Sequence, residues 1–422
     1  MESKRNLLEV KLKEFDPEVD ALIREEMRRN EETINLIASE NYPPKSSMKA
    51  ISSMLSGIYS EGYPGERYYR GLENIDKLES LAVERAKEVF GAEHANVQAL
   101  SGSNSNIAAY LALLQIGDPI LSMDIDSGGH LSHGAKVNIV SKLFQVHHYG
   151  VDPGSGLLDY DAIRKMALKV KPRLIVCGAS AYPRIIDFSR FGAIAREAGA
   201  YLLADMAHIA GMVATGAHPS PVPHCDVVTT TTHKTLRMTR GALILCRKEH
   251  AAKVDRAVFP VLQGGPHQAN IAAIAVGLKH LKAPEYRAYI LKLLENARLL
   301  AGELQALGFQ IVSGGTDNHL MLLDLTPQGI DGDRASILLE EANIIVNKNK
   351  VPGDKGTAKK PFGIRLGSPA VTTRGMGREE IRLIARWIAD VILHPDDAAL
   401  RQQVRTDVTD LCRRFPIYNP TF

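Results

Sequence analysis

Cysteine is scarce in this sequence. Four stand among 422 residues (Cys177, Cys225, Cys246 and Cys412), far apart and with no CxxC or mixed Cys/His spacing. That excludes a disulfide framework and a thiolate zinc site, calls for no metal, and points to reduced thiols in a cytoplasmic protein. Net charge is nearly absent too: 51 Lys and Arg face 48 Asp and Glu, a formal +3 with His neutral. Nucleic acid and anionic membranes both demand a concentrated basic face, so neither is expected as a partner. No apolar run is long enough to cross a bilayer. The N-terminal MESKRNLLEVKLKEF mixes charges into its apolar residues and does not read as a signal peptide. Internal repeats and low-complexity tracts are missing as well.

What remains is the mix of an ordinary soluble globular chain, 45% hydrophobic and 23% charged, long enough for two or three domains. Strand and helix patterns alternate through most of it, which predicts an α/β fold around a largely parallel sheet. Asp16-Pro17 opens a helix, Asp as N-cap and Pro in the first turn. A second helix over 75–90 stops at Gly91. A strand at 95–98, a Ser101-Gly102-Ser103 turn and a helix at 107–114 follow. Apolar runs at 119–123, 173–177, 201–204, 227–230 and 242–246 read as buried strands, with a crossover helix at 188–198. After about residue 280 the texture becomes α+β: a long helix at 285–307, strands at 309–312 and 320–325, a helix at 334–341 and a final amphipathic helix at 381–393. The Lys-, Gly- and Asn-rich stretch 347–360 reads as an exposed functional loop. The expected division is an N-terminal arm and helix (1–45), a large domain (46–282) and a smaller C-terminal domain (283–422).

The most informative stretch is DVVTTTTHKTL, where a β-branched strand runs into His233-Lys234. A lysine desolvated there is available as the neutral amine that forms a Schiff base. A lone lysine after a strand is more often a solvated loop residue. Asp205 closes the apolar run YLLAD, and burying an unpaired carboxylate is costly. Taken alone it could cap the next loop; taken with Lys234, it suggests a partner for a cationic ring nitrogen. The Ser101-Gly102-Ser103 turn lies where a helix N-terminus would receive an anion, and a plain capped helix has the same look. Gln263-Gly264-Gly265-Pro266 is a second glycine turn ahead of a helix. Gly128-Gly129-His130 offers a flat imidazole beside flexible backbone, and Arg365 a guanidinium fork suited to a carboxylate. Tyr59, Glu61, Tyr63, Tyr68 and Tyr69 crowd phenols around one acid, which suits proton transfer or recognition of a polar ligand.

These residues sit in motifs that together resemble the serine hydroxymethyltransferase family over nearly the whole length: LIASENY at 36–42, EGYPGERYY at 61–69, GAEHANVQ at 91–98, GGHLSHG at 128–134, DMAHIAG at 205–211, TTTTHKT at 229–235, QGGP at 263–266, VNKN at 346–349 and GIRLGSPA at 363–370. The resemblance implies a type I, aspartate-aminotransferase-like fold whose large domain has a mostly parallel seven-stranded sheet. It implies pyridoxal 5'-phosphate as cofactor and tetrahydrofolate as co-substrate. Lys234 would carry the cofactor and Asp205 face its ring nitrogen. His130 would stack on the ring, and Ser180 and His208 lie near its hydroxyl. Ser101, Gly102 and Ser103 would hold the phosphate, with Thr231 and His233 beside the lysine. Arg365, helped by Ser39, would anchor the substrate carboxylate, while Ile125, Gly129, Leu131 and Asn349 line the folate side. Tyr59, Glu61, Tyr69, Gly264 and Gly265 would reach the site across a homodimer (or a tetramer built from it), Glu61 handling protons.

Some positions depart from the family pattern. Met238-Thr239 stand where Gly-Pro is usual, Ala242 where Gly is, Asp126-Ser127 where Ala-His is usual, Arg70 for a glycine, Phe362 for a serine, and Ala99-Leu100 ahead of the phosphate turn. Larger side chains near Cα raise an alternative substrate: 2-methylserine, or the aldol cleavage of a threonine-type amino acid. A non-catalytic scaffold is the third reading, opposed by intact Lys234, Asp205 and Arg365.

Overall fold

A computed structural model describes residues 9–418; positions 1–8, which open the expected N-terminal arm, and 419–422 lie outside the described residues. Seven strands form the large sheet: β1 (His94–Asn96), β2 (Pro119–Met123), β3 (Gln145–Tyr149), β4 (Leu174–Cys177), β5 (Tyr201–Asp205), β6 (Val227–Thr231) and β7 (Ala242–Cys246), in spatial order β1-β7-β6-β5-β4-β2-β3. Only β7 runs against its neighbours; the other pairings are parallel. Every residue of β4, β6 and β7 is buried, because helices cover both faces, and this is why they read as continuous apolar or β-branched runs. The sequence reading missed β3. It is the edge strand, QVHHY, half-exposed and polar, so it lacks a buried strand's signature.

Local signals fix the connecting helices. Asp187 caps Phe188–Ala198 by accepting from the backbone N–H of Ser189 and Arg190, and Gly199 ends it at φ 66°. Asp16 accepts from Val19 N–H at the start of Pro17–Glu32.

A second, antiparallel sheet of four strands, β8 (Gln310–Ile311), β9 (Leu320–Asp324), β10 (Asn347–Asn349) and β11 (Gly363–Gly367), has the order β8-β9-β11-β10. The expected loop at 347–360 therefore begins as a strand. Helix 381–393 is not the last one: Ala398–Arg414 follows, burying Val404, Val408, Leu411 and Cys412, one stripe at helical spacing. The N-terminal arm folds into this C-terminal unit. Ile34 and Leu36 sit in its core, and Ile34 pairs in parallel with Ile344. Arg374 ties the junction, donating to the carbonyls of Asn30, Glu31, Thr33, Cys412 and Phe415. Conversely, Tyr286 and Tyr289, in the first turns of Pro284–Ala306, pack into the large-sheet core. Among the described residues no helix is long and apolar enough to cross a membrane.

Candidate active site

Parallel strands deliver their carboxyl ends to one edge of a sheet, where crevices form. Here β5 ends in Asp205, β6 in Thr231 with His233-Lys234 beyond, and the loops after β2 and β4 carry His130 and Ser180. These residues, with Ser39, Ser101, Gly102, Ser103, His208 and Arg365, line one cavity of about 380 Å³. Twelve expected residues far apart in sequence thus converge on one space, and Ala179, Ala207 and Arg240 complete its wall.

Lys234 is buried, 9% exposed, and its Nζ has no hydrogen-bond partner among the described residues. Burial lowers its pKa to about 8 against the pull of Asp205, with Arg365 and Arg240 adding to the fall. The turn is held from outside the cavity: Asn41 donates to Lys234 O at 3.1 Å and Tyr286 to Thr235 O at 2.8 Å.

Burial alone would raise the Asp205 carboxyl, but the His133 hydrogen bond and the charges of His133, His130 and Lys234 hold it well below the usual carboxylate range. Oδ2 accepts from Asn106 Nδ2 at 2.9 Å and from His133 Nε2 at 3.1 Å, and Oδ1 from Ala207 N–H at 3.0 Å. His133 Nδ1 accepts from His130 N–H, which leaves its Nε2 as the donor. Asn106 is itself oriented by Thr229 Oγ1, 2.6 Å from its Oδ1. His130 Nδ1 accepts from Ser132 N–H, and burial lowers that ring to about 4, so it is neutral at physiological pH. His208 lies against His319, Nδ1 to Nε2 3.2 Å, in near-parallel rings; burial pushes His208 well below its normal range.

The sequence reading did not single out Asn106, His133 or Arg240. Asn106 follows Ser103, Asn104 and Ser105 in the polar opening of Gly102–Leu113, so nothing in the sequence set it apart from its neighbours. His133 lay unassigned within GGHLSHG.

Arg365, on β11, reaches across from the second sheet: Nε donates to Asn347 Oδ1 at 3.1 Å and Nη1 to Ser180 O at 2.7 Å. Burial lowers its pKa to about 10, which leaves the guanidinium charged at neutral pH. Ile125 and Leu131 stand 42% and 46% exposed beside the cavity loop and, with Gly129 and Asn349, are not part of its wall.

Five expected residues gather elsewhere. Tyr59 and Tyr69 meet edge to face at 5.3 Å, the Tyr59 hydroxyl lies 3.5 Å from Glu61 Oε1, and Gly264 and Gly265 pass against Glu61 and Tyr59. None of the five lines the cavity of its own chain, and both tyrosines are exposed.

The substituted positions fall off the wall. Met238 is buried against Gly277, where a Cβ would come within 2.4 Å of Met238 Cγ. Thr239 accepts from Thr232 Oγ1 through its carbonyl, and Phe362 pairs with Asp354 and Leu325 through its backbone. None of the three lines the cavity. The bulk of Met238 is spent on packing against Gly277.

The residues fit a phosphorylated pyridine aldehyde. A neutralisable lysine faces a buried, ionised carboxylate that calls for a cationic partner. At the serine turn, Ser101 caps Gly102–Leu113 and the helix start presents N–H groups to the cavity side. Thr231 Oγ1 and His233 Nδ1, on two lining residues, are buried with no hydrogen-bond partner among the described residues. Fold and site together define a pyridoxal-phosphate-dependent enzyme of the aspartate-aminotransferase-like class.

Comparison with known proteins narrows the class. The serine hydroxymethyltransferase family profile matches residues 12–388, and the chain belongs to that family. It is 54% identical over 408 residues to a serine hydroxymethyltransferase of Cyanothece sp. (strain PCC 7425 / ATCC 29141), covering 96% of each chain. It is 53% identical over 408 residues to that of Prochlorococcus marinus (strain MIT 9303), 96% of each. Against that of Nostoc sp. (strain PCC 7120 / SAG 25.82 / UTEX 2576) it is 52% identical over 404 residues, 96% of this chain and 95% of the relative.

Proposed function

We propose that the cavity around Lys234 is where this chain performs its family's reaction, the interconversion of serine and glycine with tetrahydrofolate as one-carbon partner, and that the work divides as follows. Pyridoxal phosphate, when bound, supplies an electron sink conjugated to the amino group of the substrate. Lys234 Nζ holds that cofactor and, with its lowered pKa, gives up and takes back a proton near neutral pH. Asp205 keeps a proton on the ring nitrogen, and Asn106 and His133 keep Asp205 ionised and aimed. Ser101, Gly102, Ser103 and His233 would hold the phosphate, and His130, Ser180 and His208 would surround the ring. Arg365 with Ser39 would fix the substrate carboxylate and so orient the bond to be broken. Thr231, whose Oγ1 is buried without a partner among the described residues, would hydrogen-bond a group bound beside the lysine. Ile125, Gly129, Leu131 and Asn349 form the folate wall.

The Tyr59–Glu61–Tyr69 cluster with Gly264 and Gly265 completes the cavity of a neighbouring subunit in a homodimer. What supports this is that five residues of proton-transfer and anion-binding type assemble together without lining their own chain's cavity. The four free, buried cysteines support a cytoplasmic setting. The same reading divides the chain at about 45 and 282, with the arm serving the C-terminal unit.

The observation that carries this reading is the pairing, in one buried space, of an amine lowered to about 8 with a carboxylate held ionised. Steady-state assays of serine, 2-methylserine and allo-threonine, each with and without tetrahydrofolate, test it. Serine with folate is expected to give by far the highest kcat/KM. A higher value for 2-methylserine would move the assignment to the altered substrate.

A further inference from the structure

One cross-domain contact lies outside the machinery just described. Lys350, at the end of β10, donates from Nζ to Asp126 Oδ2 at 2.7 Å, bridging 224 positions of sequence. Asp126 stands in the short 3-10 turn Ile125–Ser127.

A chain of contacts links the same two elements on the cavity side. Gly128 O accepts from Ser180 N–H at 2.7 Å and Ala181 N–H at 3.1 Å. Ser180 O accepts from Arg365, and Arg365 Nε donates to Asn347 on β10. β10 then leads back through Asn349 to Lys350, whose carbonyl accepts from Asn349 Nδ2 at 2.6 Å. The turn itself has little freedom: a Cβ on Gly129 would come within 2.2 Å of Met123 O, and one on Gly128 within 2.9 Å of Ala181 backbone. The ion pair therefore closes a ring of contacts on its solvent side, and it ties the turn that carries Ile125 to the residue that follows Asn349.

We infer that Asp126 and Lys350 are positioning residues for the co-substrate, an ionic strut that sets the gap between the two walls of the folate site. The inference rests on the folate-wall reading given above. Arg365 keeps its own two hydrogen bonds when the strut is cut, so the amino-acid side of the cavity is insulated from it. Lys350 is 23% and Asp126 51% exposed, which confines the effect to the range of a surface ion pair, about two- to fivefold in an equilibrium constant.

The test uses holoenzyme carrying Asp126→Asn, Lys350→Gln or the charge-swapped pair D126K/K350D. Two reactions are measured: serine with tetrahydrofolate, and the folate-independent cleavage of allo-threonine to glycine and acetaldehyde, in which the Cα–Cβ bond breaks, the hydroxyl proton leaves as the aldehyde forms, and Cα takes up a proton to give glycine. Each single variant is expected to raise the folate KM about two- to fivefold, with kcat and allo-threonine cleavage unchanged. The swapped pair is expected to return most of the loss, which a mere surface substitution would not do. A folate KM unchanged in both single variants, or the same loss in both reactions, would overturn the strut. A wild-type enzyme that ignores tetrahydrofolate would overturn the functional reading itself, a result distinct from variants that keep a wild-type folate KM.

Discussion

The pKa of Lys234 is displaced because the side chain is buried among Arg365 and Arg240, and only Asp205 opposes the shift. A lysine in water would be protonated at neutral pH in all but about one molecule in a thousand. Here the neutral amine is a substantial fraction. Below about 8 each unit of pH still removes most of it; above, the amine is already free. Pyridoxal phosphate added to the apoprotein should therefore attach about tenfold faster per pH unit up to about 8 and level off beyond, followed by stopped-flow absorbance. A rate that keeps climbing past pH 10 would return Lys234 to an ordinary solvated lysine. Lys234 and Asp205 were legible in the sequence because each breaks a local rule, a charge closing an apolar strand. Asn106 and His133 obey their local rules and act only through space, so no spacing in the chain connected them to Asp205.

Strands buried on both faces announce themselves, and β2, β4, β5, β6 and β7 were legible for that reason. Edge strand β3 and helix Ala398–Arg414 were not, one because its polar residues face solvent and the other because only a thin stripe of it is buried. Substitutions at Met238, Thr239 and Phe362 looked like changes of substrate, yet none of the three lines the cavity and Met238 packs against Gly277, a placement that no sequence pattern shows. At this scale the loop after β2 is a tightly fitted piece of the site. Gly129→Ala forces a Cβ to within 2.2 Å of Met123 O, so the loop must shift and carry His130 with it. The expected outcome is kcat lowered by about 10²-fold, as for a displacement of roughly 1 Å at a catalytic group, with a thermal midpoint a few degrees lower. Wild-type kinetics in a folded Gly129→Ala protein would show that the loop has room the structure does not give it.

At the scale of the whole molecule the expected site residues fall into two groups, those that line the cofactor cavity and the Tyr59–Glu61–Tyr69 cluster, which does not. Composition and motif order made the fold class legible from the sequence, but a chain read singly does not say which residues face a second copy of itself. Hybrids decide it. Mixing inactive Lys234→Ala with inactive Glu61→Ala under subunit exchange should restore activity at about a quarter of the sites, since half the dimers are mixed and each mixed dimer rebuilds one complete site. No recovery in demonstrably mixed dimers would place Glu61 at its own chain's cavity. Every role assigned across the molecule nevertheless depends on where the cofactor is joined. Borohydride reduction of the holoprotein, followed by peptide mass spectrometry, reads that directly: a reduced pyridoxyl group on the Lys234 peptide is expected, and the group on any other lysine, or on none, would contradict the account.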